Sequence, residues 1–342
     1  METNLEQKIC PISFRSFFRK ERIAIYVRII IAVAMLFIVL KWVDMNEAID
    51  NIRRVDIHYV LFIYLLAFSD RYLMAYKWNK LLKLKGIALS NAEAFRIYLG
   101  ATFAGTFLPN VIGGDVLRAI RTKMNGVSVD GIAASIVVER AIGLLAVTFL
   151  ASSGLALLIV NHELQFLKIF YGISALLLFM IVGLIVSMQI RIFQIVKRLL
   201  SRFEKYRFIR LYLNFHSAYI ELSGYTKAIS IFFILSCIER YVLAIMYFSA
   251  AKSLDLPLLM IHLIAIISVV SLLESIPITI NAIGVQEISY IYFFGLVGLS
   301  PTEALSLSFL MRVVGLTMLV PSGLALLYDV VMFKQLHRPV IK

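Results

Sequence analysis

Long stretches without a charged side chain limit what this chain can fold into. Residues 144–160 and 176–188 contain no Asp, Glu, Lys or Arg, and they lie in apolar runs that approach the ~20 residues a helix needs to cross a bilayer. Hydrophobic residues make up 61% of the 342 positions, well above the share in an ordinary soluble domain. A soluble interior cannot cover so many helices that are apolar on every side. The sequence therefore predicts an all-α, polytopic membrane helix bundle.

About six full spans are expected in one transmembrane domain, residues 1–342. They are predicted at residues 23–43, 59–76, 132–160, 166–188, 228–250 and 303–328. Two further apolar segments, 92–124 and 257–299, are broken by Pro and Gly and are predicted to be re-entrant. No cleavage site of small residues follows the first run, so we expect that run to remain as a span.

The distribution of Lys and Arg predicts the orientation in the membrane. With the N-terminus inside, the cytoplasmic connections hold five, four, eight and three basic residues; they are 1–22, 77–91, 188–227 and 333–342. The opposite connections, 44–56, 161–165 and 251–257, hold only Arg53, Arg54 and Lys252. The positive-inside rule then predicts cytoplasmic termini and an inner (cytoplasmic) membrane location. Because the net charge of +13 is distributed in this way, nucleic acid is not expected as a partner.

One cytoplasmic connection is both basic and apolar. Residues 189–225 contain seven Lys and Arg residues among Ile, Leu and Phe. Two interpretations stay open: an amphipathic helix on an anionic leaflet, or a loop that only sets the topology. Cys10 and Cys237 lie in very different settings, and no ligand cluster accompanies them, so neither a disulfide nor a metal site nor a cofactor is expected.

The two broken segments repeat one order of residues: a proline, an asparagine, a glycine and an acid. These residues are Pro109, Asn110, Gly113, Gly114 and Asp115 in the first segment and Pro277, Asn281, Gly284 and Glu287 in the second. The match continues downstream, because the glycine-to-arginine separation is 27 residues for Gly113 and Arg140 and 28 for Gly284 and Arg312. The same six residues, SGLALL, follow in both halves from Ser153 and Ser322.

These matches predict two repeats, residues 92–160 and 257–328. The first follows a cytoplasmic connection and the second an outer one, so we expect the repeats to be inverted, with Pro109 and Pro277 as turning points near the midplane. Half-helices that begin at Gly113, Gly114 or Gly284 would present free N–H groups and a positive dipole end to an anion. The alternative is a pair of proline kinks in ordinary spans.

Charged side chains at membrane depth are the candidate site residues, since each costs about 2.5–3.5 kcal/mol to insert unless it has a partner or a wet cavity. We expect Arg140 and Arg312 to line one central cavity and to bind the anionic part of a substrate, because a guanidinium matches phosphate oxygens. The proposed substrate-binding set is Asn110, Gly113, Gly114, Asp115, Arg118, Arg121, Glu139, Arg140, Asn281, Gly284, Glu287 and Arg312.

Three adjacent acid–base pairs accompany this set: 70–71, 139–140 and 239–240. Neighbouring residues of a helix point about 100° apart, so we expect each charge to pair across helices rather than with its neighbour. The charges of 70–71 and 239–240 are interpreted as structural ion pairs. Asp115, Glu139 and Glu287 are candidates for carrying protons.

The quoted motifs resemble the lysylphosphatidylglycerol synthase transmembrane family, a flippase-like region. The resemblance is carried by residues 107–118, 139–144 and 277–287, and it covers roughly residues 20–330. It implies a module that translocates a phospholipid or a lipid-linked glycan. The family's bifunctional members look like such a region followed by a soluble aminoacyl-transfer domain. This sequence stops at Lys342, so we expect a stand-alone member that does not make lysylphosphatidylglycerol.

Three functions stay open at this point. We favour a flippase for an anionic lipid, with Arg118, Arg121, Arg140 and Arg312 as phosphate ligands, membrane lipids as partners, and no enzymatic activity. No Walker motif is present, so an ion, potential or substrate gradient would drive it. The second is an intramembrane enzyme for polyprenyl phosphate or glycolipid, although no paired-aspartate metal motif is found. The third is an accessory subunit that anchors a glycosyltransferase. A homo-oligomer, or association with a lipid-modifying enzyme, also stays open.

Overall fold

The computed structural model describes residues 27–336 with short gaps. The gaps are 28–29, 32, 40, 42, 54, 88, 108–112, 124–128, 202–208, 210–212, 214–215, 218–219 and 222–223. Every regular element among the described residues is a helix, which confirms the predicted all-α fold. The predicted site residues Pro109 and Asn110 lie outside the described residues, as do the basic segment 1–22 and residues 337–342.

We number the α-helices in chain order. They are α1 (Met45–Arg53), α2 (Ile57–Leu84), α3 (Asn91–Phe107), α4 (Gly113–Lys123), α5 (Val129–Val160), α6 (Leu167–Ser187), α7 (Ile190–Ser201), α8 (Thr226–Ser253), α9 (Met260–Glu274), α10 (Val285–Gly295), α11 (Pro301–Thr317) and α12 (Leu319–Leu336). Short 3-10 turns, Leu164–Phe166 and Ile280–Ala282, precede α6 and α10.

Five helical segments among the described residues are long and apolar enough to cross a membrane. They are Ile57–Leu84, Gly131–Val160, Leu164–Ser187, Thr226–Ser253 and Pro301–Asp329. They agree with five of the six predicted spans. The remaining one, 23–43, begins before the described residues, and Val39 and Val43 in its described part are buried in the main hydrophobic core.

One predicted boundary was wrong, and one predicted span contains an interruption. Helix α2 continues to Leu84, so most of the predicted connection 77–91 is helical, and Lys77 is buried against Glu239 rather than lying in a loop. The last predicted span, 303–328, is two helices that meet at Met318. Pro321 has no N–H to donate to the carbonyl of the fourth residue before it, which explains why the helix is interrupted there.

The first broken segment is a helical hairpin. Gly114 of α4 lies against α3, because a Cβ added at Gly114 would be 2.7 Å from the carbonyl oxygen of Ala101. Gly105 also lies close to α4, since its added Cβ would be 3.4 Å from the backbone nitrogen of Gly114. In a continuous helix, residues nine and thirteen positions apart would be about 14 and 20 Å apart. The chain therefore reverses direction between α3 and α4.

The second broken segment contains a longer interruption. Helix α9 ends at Glu274 and α10 begins at Val285, with Pro277 exposed in the non-helical stretch between them. Asn281 has a positive φ of 52°, and Gly284, at 84°, adopts a backbone conformation that favours glycine as it starts α10. The backbone break that the sequence predicted at Pro277 is therefore present.

The two halves of the chain pack against each other reciprocally. Helix α5, from the first half, packs along α9 of the second, and α12 of the second half packs along α3 of the first. A Cβ at Gly154 of α5 would be 2.9 Å from Cα of Ala265, and one at Gly323 of α12 would be 2.9 Å from the ring of Phe103. The repeated SGLALL sequence thus supplies the close helix–helix contact in both places.

Candidate functional site

The first half holds a cluster of four charged side chains where α4 meets α5. Asp115 is the third residue of α4, and its carboxylate accepts from Nη2 of Arg140 on α5 at 2.9 Å and from Nη2 of Arg118 at 2.6 Å. Nη1 of Arg118 also donates to Glu139 over 2.7 Å. The two acids and two arginines balance in formal charge, which permits their placement inside a helix bundle.

Arg118 is fully engaged within this cluster. Its side chain is only 4% exposed, and its guanidinium lies over the rings of Trp78 and Tyr98, with centroids 5.1 and 4.9 Å away. A phosphate could reach Arg118 only by displacing carboxylates that already satisfy it. Arg140 differs, because 54% of its side chain is exposed and one carboxylate holds it. Of the two arginines, Arg140 is the one open to a ligand.

The second half repeats the acid–arginine pair. Glu287 is the third residue of α10, and its carboxylate accepts from Nε of Arg312 on α11 at 2.6 Å. Arg312 also donates to the side-chain oxygen of Gln286, and its side chain is 16% exposed. Gln286 donates to the hydroxyl of Tyr247 at 3.4 Å. Arg312 is therefore held more tightly than Arg140.

The two pairs are equivalent in the chain. Asp115 and Arg140 are 25 residues apart, as are Glu287 and Arg312. With these pairs aligned, Tyr290 occupies the position of Arg118, and Met311 that of Glu139. The second half therefore lacks the counterparts of both Arg118 and Glu139, which form an ion pair in the first half. The pair that remains in the second half is balanced in formal charge, as is the four-residue cluster in the first. Tyr290 instead donates to Tyr247 at 2.8 Å.

The N–H of Gly284, at the start of α10, is not free for an anion in this structure. The N–H of Gly284 donates to Oε2 of Glu287 at 2.7 Å, so a carboxylate of the protein already caps α10. Gly113 begins α4, and Gly114 serves the close approach to Ala101. The prediction that Gly284 presents a free N–H is therefore wrong, because its own helix supplies the acceptor.

A third charged layer lies between α2 and α8. Lys77 donates to Ser236 at 3.1 Å and to the carboxylate of Glu239. Asp70 and Arg71 approach within 3.2 Å, and Glu239 and Arg240 do the same. The expectation that adjacent charges do not pair was wrong at these two places, because a long arginine side chain can fold back over the preceding residue.

Ion pairs also join the two halves at the ends of the interrupted helices. Arg96, near the start of α3, pairs with Asp329 of α12, and Arg121 reaches the backbone carbonyl of Asp329 at 3.5 Å. His262, near the start of α9, contacts Glu163 at 2.9 Å, just beyond the end of α5. Arg121 is thus placed away from the Asp115 cluster, and Asn281 is exposed in the loop before α10.

The family described as lysylphosphatidylglycerol synthase TM region matches residues 25–323, a range that includes both acid–arginine pairs. The chain belongs to this family. The UPF0104 membrane protein PH1989 of Pyrococcus horikoshii is 27% identical over 164 residues, which is 46% of this chain and 47% of that protein. The match spans about half the length of this curated relative.

Membership of the lysylphosphatidylglycerol synthase TM region family confirms the resemblance stated from the motifs. Together with the five apolar helical segments, it identifies a multi-pass membrane protein. Arg140 and Arg312 contact different acids, Asp115 and Glu287, and no residue of the described part of the chain is recorded as contacting both arginines. Their convergence on one central cavity stays a prediction.

Sequence reasoning missed several residues that complete the site in this family member. Gln286 lies inside the quoted motif and was passed over because it is uncharged. Lys77 follows Asp70 by seven residues, two helical turns, which places both on one face of α2 and could have revealed a buried layer. Trp78 and Tyr98 carried no sequence signal, since aromatic residues are common in any apolar helix.

An apolar groove of about 260 Å³ lies between α5 and α6 and begins, along α5, at the residue after Arg140. Its lining residues are Ala141, Leu144, Leu145, Met180, Leu184 and Ser187. Leu144 follows Arg140 by four residues and shares its face of α5. None of the side chains of α6 is buried, so this helix lies at the periphery of the described bundle. The arrangement places an exposed cation next to a lateral apolar groove.

Proposed function

We propose that this protein is a flippase that translocates an anionic phospholipid or lipid-linked glycan across the inner membrane. The observation that carries the proposal is the half-exposed Arg140 guanidinium, whose chain neighbour Ala141 lines the groove between α5 and α6. A lipid phosphate needs a cation, and its acyl chain needs an apolar surface within the same reach. A soluble anion would need only the cation.

Asp115 can balance the charge of Arg140 when no lipid phosphate is bound to it. An isolated charge at membrane depth is expensive, so an empty site needs an internal counter-ion. Asp115 supplies that counter-ion at 2.9 Å and stays paired with Arg118 when Arg140 turns to a phosphate. The exchange replaces the charge-assisted hydrogen bonds between Arg140 and Asp115 by bonds between Arg140 and the phosphate, while Arg118 continues to donate to Asp115.

The equivalent pair of Glu287 and Arg312 supports a second site in the other half. Reciprocal packing of α5 on α9 and of α12 on α3 supports the predicted inverted repeat. In transporters built from inverted repeats, the halves rock about a site at their interface. We propose that the two arginines receive the headgroup in alternation. Their unequal exposure, 54% and 16%, supports a conformation in which the first site is open and the second closed.

The same proposal places both termini in the cytoplasm and the Lys83 end of α2 on that side, on the strength of the basic residues. It assigns anionic membrane lipids as partners and no catalytic step to the chain. A homo-oligomer and a lipid-modifying enzyme as a further partner are compatible with it.

Residues 194–195 and 197–199 in α7 are exposed and combine Ile and Leu with Lys and Arg, which supports contact with an anionic leaflet.

Reconstitution into liposomes tests the proposal. Purified protein should move fluorescent phosphatidylglycerol between leaflets, measured by chemical quenching of the outer leaflet, faster than protein-free liposomes do. Arg140→Gln should reduce the protein-dependent rate at least tenfold. The control is Arg53→Gln, at an exposed arginine that ends α1, and it should leave the rate unchanged. Equal rates for wild type and protein-free liposomes across anionic phospholipids and polyprenyl phosphates would contradict the flippase assignment.

A further inference from the structure

Glu274 differs from the other acids that the structure describes inside the helix bundle. It is the last residue of α9, directly before the interruption that contains Pro277, and its side chain is partly buried. Each of the others has a basic nitrogen within 4 Å; they are Asp70, Asp115, Glu139, Glu239, Glu287 and Asp329. Among the described residues, no ion pair or side-chain hydrogen bond is formed by Glu274.

The surroundings of Glu274 are charged even though none of the charges touches it. The charged or titratable groups that interact electrostatically with it are Arg240 and Tyr247 on α8, Glu287 and Tyr290 on α10, and Arg312 on α11. Helix α5 packs along α9 through Gly154 and Ala265, and neither residue carries a titratable group. Ala265 precedes Glu274 by nine residues on α9. Two arginines and one acid therefore set the potential at the Glu274 carboxyl.

Both arginines are held away from Glu274 by other acids. Arg240 contacts Glu239 at 3.2 Å, and Arg312 contacts Glu287 at 2.6 Å. Protonating Glu239 or Glu287 would break an ion pair and leave an arginine uncompensated. Protonating Glu274 breaks no direct contact among the described residues. Glu274 is therefore the carboxyl in this region that can gain and lose a proton with the least disturbance of the structure.

We propose that Glu274 is a proton-binding site whose occupancy is coupled to the anion bound at Arg312. The inference rests on the proposed lipid transport for its coupling, though the proton site itself does not. A phosphate that approaches Arg312 and Arg240 brings negative charge next to the Glu274 carboxylate, and like charges at short range disfavour each other. The carboxylate then takes one proton from water and becomes a neutral carboxylic acid. When the phosphate leaves, the proton returns to water.

This coupling would supply a driving force, since an anion that moves with a proton responds to a pH gradient. The three acids predicted from the sequence as proton carriers are in a different setting from Glu274. Asp115, Glu139 and Glu287 each contact an arginine, and their role as proton carriers stays a prediction. Glu274 is the last residue of α9, so a change in its charge occurs directly at the interruption between α9 and α10.

Infrared difference spectroscopy of the full-length protein in phosphatidylcholine nanodiscs, between acidic and alkaline pH, tests the proton site. Wild type should show a carboxylic-acid carbonyl band that Glu274→Gln lacks. Glu221→Gln, in an exposed acid paired with Lys85, is the matched control and should retain the band. A spectrum of Glu274→Gln identical to that of wild type overturns the inference, whatever the transport assay gives.

Liposomes that contain fluorescent phosphatidylglycerol and carry a pH gradient test the coupling. Wild-type translocation should change rate when the gradient is imposed, Glu274→Asp should keep that response, and Glu274→Gln should lose it while remaining monodisperse. A full gradient response in Glu274→Gln overturns the coupling. Absence of any translocation by wild type refutes the proposed function instead, and the infrared comparison then still decides whether Glu274 binds a proton.

Discussion

Gly154 and Gly323 occupy the same place in two copies of one sequence, and each lies against the interrupted helix of the opposite half. Gly154 meets Ala265 of α9, and Gly323 meets Phe103 of α3, with an added Cβ at 2.9 Å in both cases. Through these contacts α9, which precedes the interruption at Pro277, packs on α5 of the first half. In the same way α3, which precedes the predicted turn at Pro109, packs on α12 of the second half. Arg140 lies on α5, the helix of Gly154, and Arg312 lies on α11, the helix that precedes that of Gly323.

The close packing of α3 against α4 should depend on Gly114. A methyl group at this position would lie 2.7 Å from the carbonyl oxygen of Ala101, so Gly114→Ala must push the half-helices apart, at a cost of about 1–3 kcal/mol. Thermal unfolding in detergent should show a lower midpoint. Gly143→Ala is the control, because nothing lies within 4 Å of its added Cβ and alanine favours a helix by about 1 kcal/mol. Equal midpoints would contradict the hairpin packing.

Arg118 and Arg140 should respond differently to the same substitution. Arg118→Gln leaves Asp115 and Glu139 poorly compensated in a buried setting, which should cost about 3–5 kcal/mol and reduce the yield of monodisperse protein. Arg140→Gln leaves Asp115 paired with Arg118, so the protein should fold and lose translocation. Size-exclusion profiles measured beside lipid translocation separate the two. A well-folded, fully active Arg140→Gln would exclude it as a substrate ligand.

The ion pair between Arg96 and Asp329 should hold α3 to α12. Arg96→Asp places two acids together and should lower thermal stability, as should Asp329→Arg. The double variant restores opposite charges, so a double-mutant cycle should show a favourable coupling of at least about 0.5 kcal/mol. Strictly additive effects would show that the contact contributes nothing to the association of the two halves.

Topology can be tested at two exposed positions. Single cysteines replacing Lys83, near the end of α2, and Asp50, in α1, are expected to react from opposite sides of the membrane in a background without Cys10 and Cys237. Membrane-impermeant maleimide applied to intact and opened cells measures this. Labelling of both positions from one side would refute the orientation on which the inverted repeat depends.

Several features of the fold could be predicted from local sequence. Apolar runs identify membrane helices because the cost of inserting a residue depends mainly on its own side chain. The break at Pro277 could be placed because proline and glycine act on the backbone where they stand. Pairing of the acids could not be predicted in this way. Adjacent Glu239 and Arg240 do contact each other, and Glu139 reaches Arg118, twenty-one residues away along the chain.

The sequence by itself determined an all-helical membrane protein with two interrupted segments and two arginines in equivalent places. Only the tertiary structure decided that Arg118 is enclosed while Arg140 is exposed, and that Glu274 has no direct counter-ion among the described residues. The physical reason is that insertion energies add along the chain, residue by residue. Whether a charge is satisfied depends on which side chains from distant segments come within about 4 Å of it, and helix packing alone sets that distance.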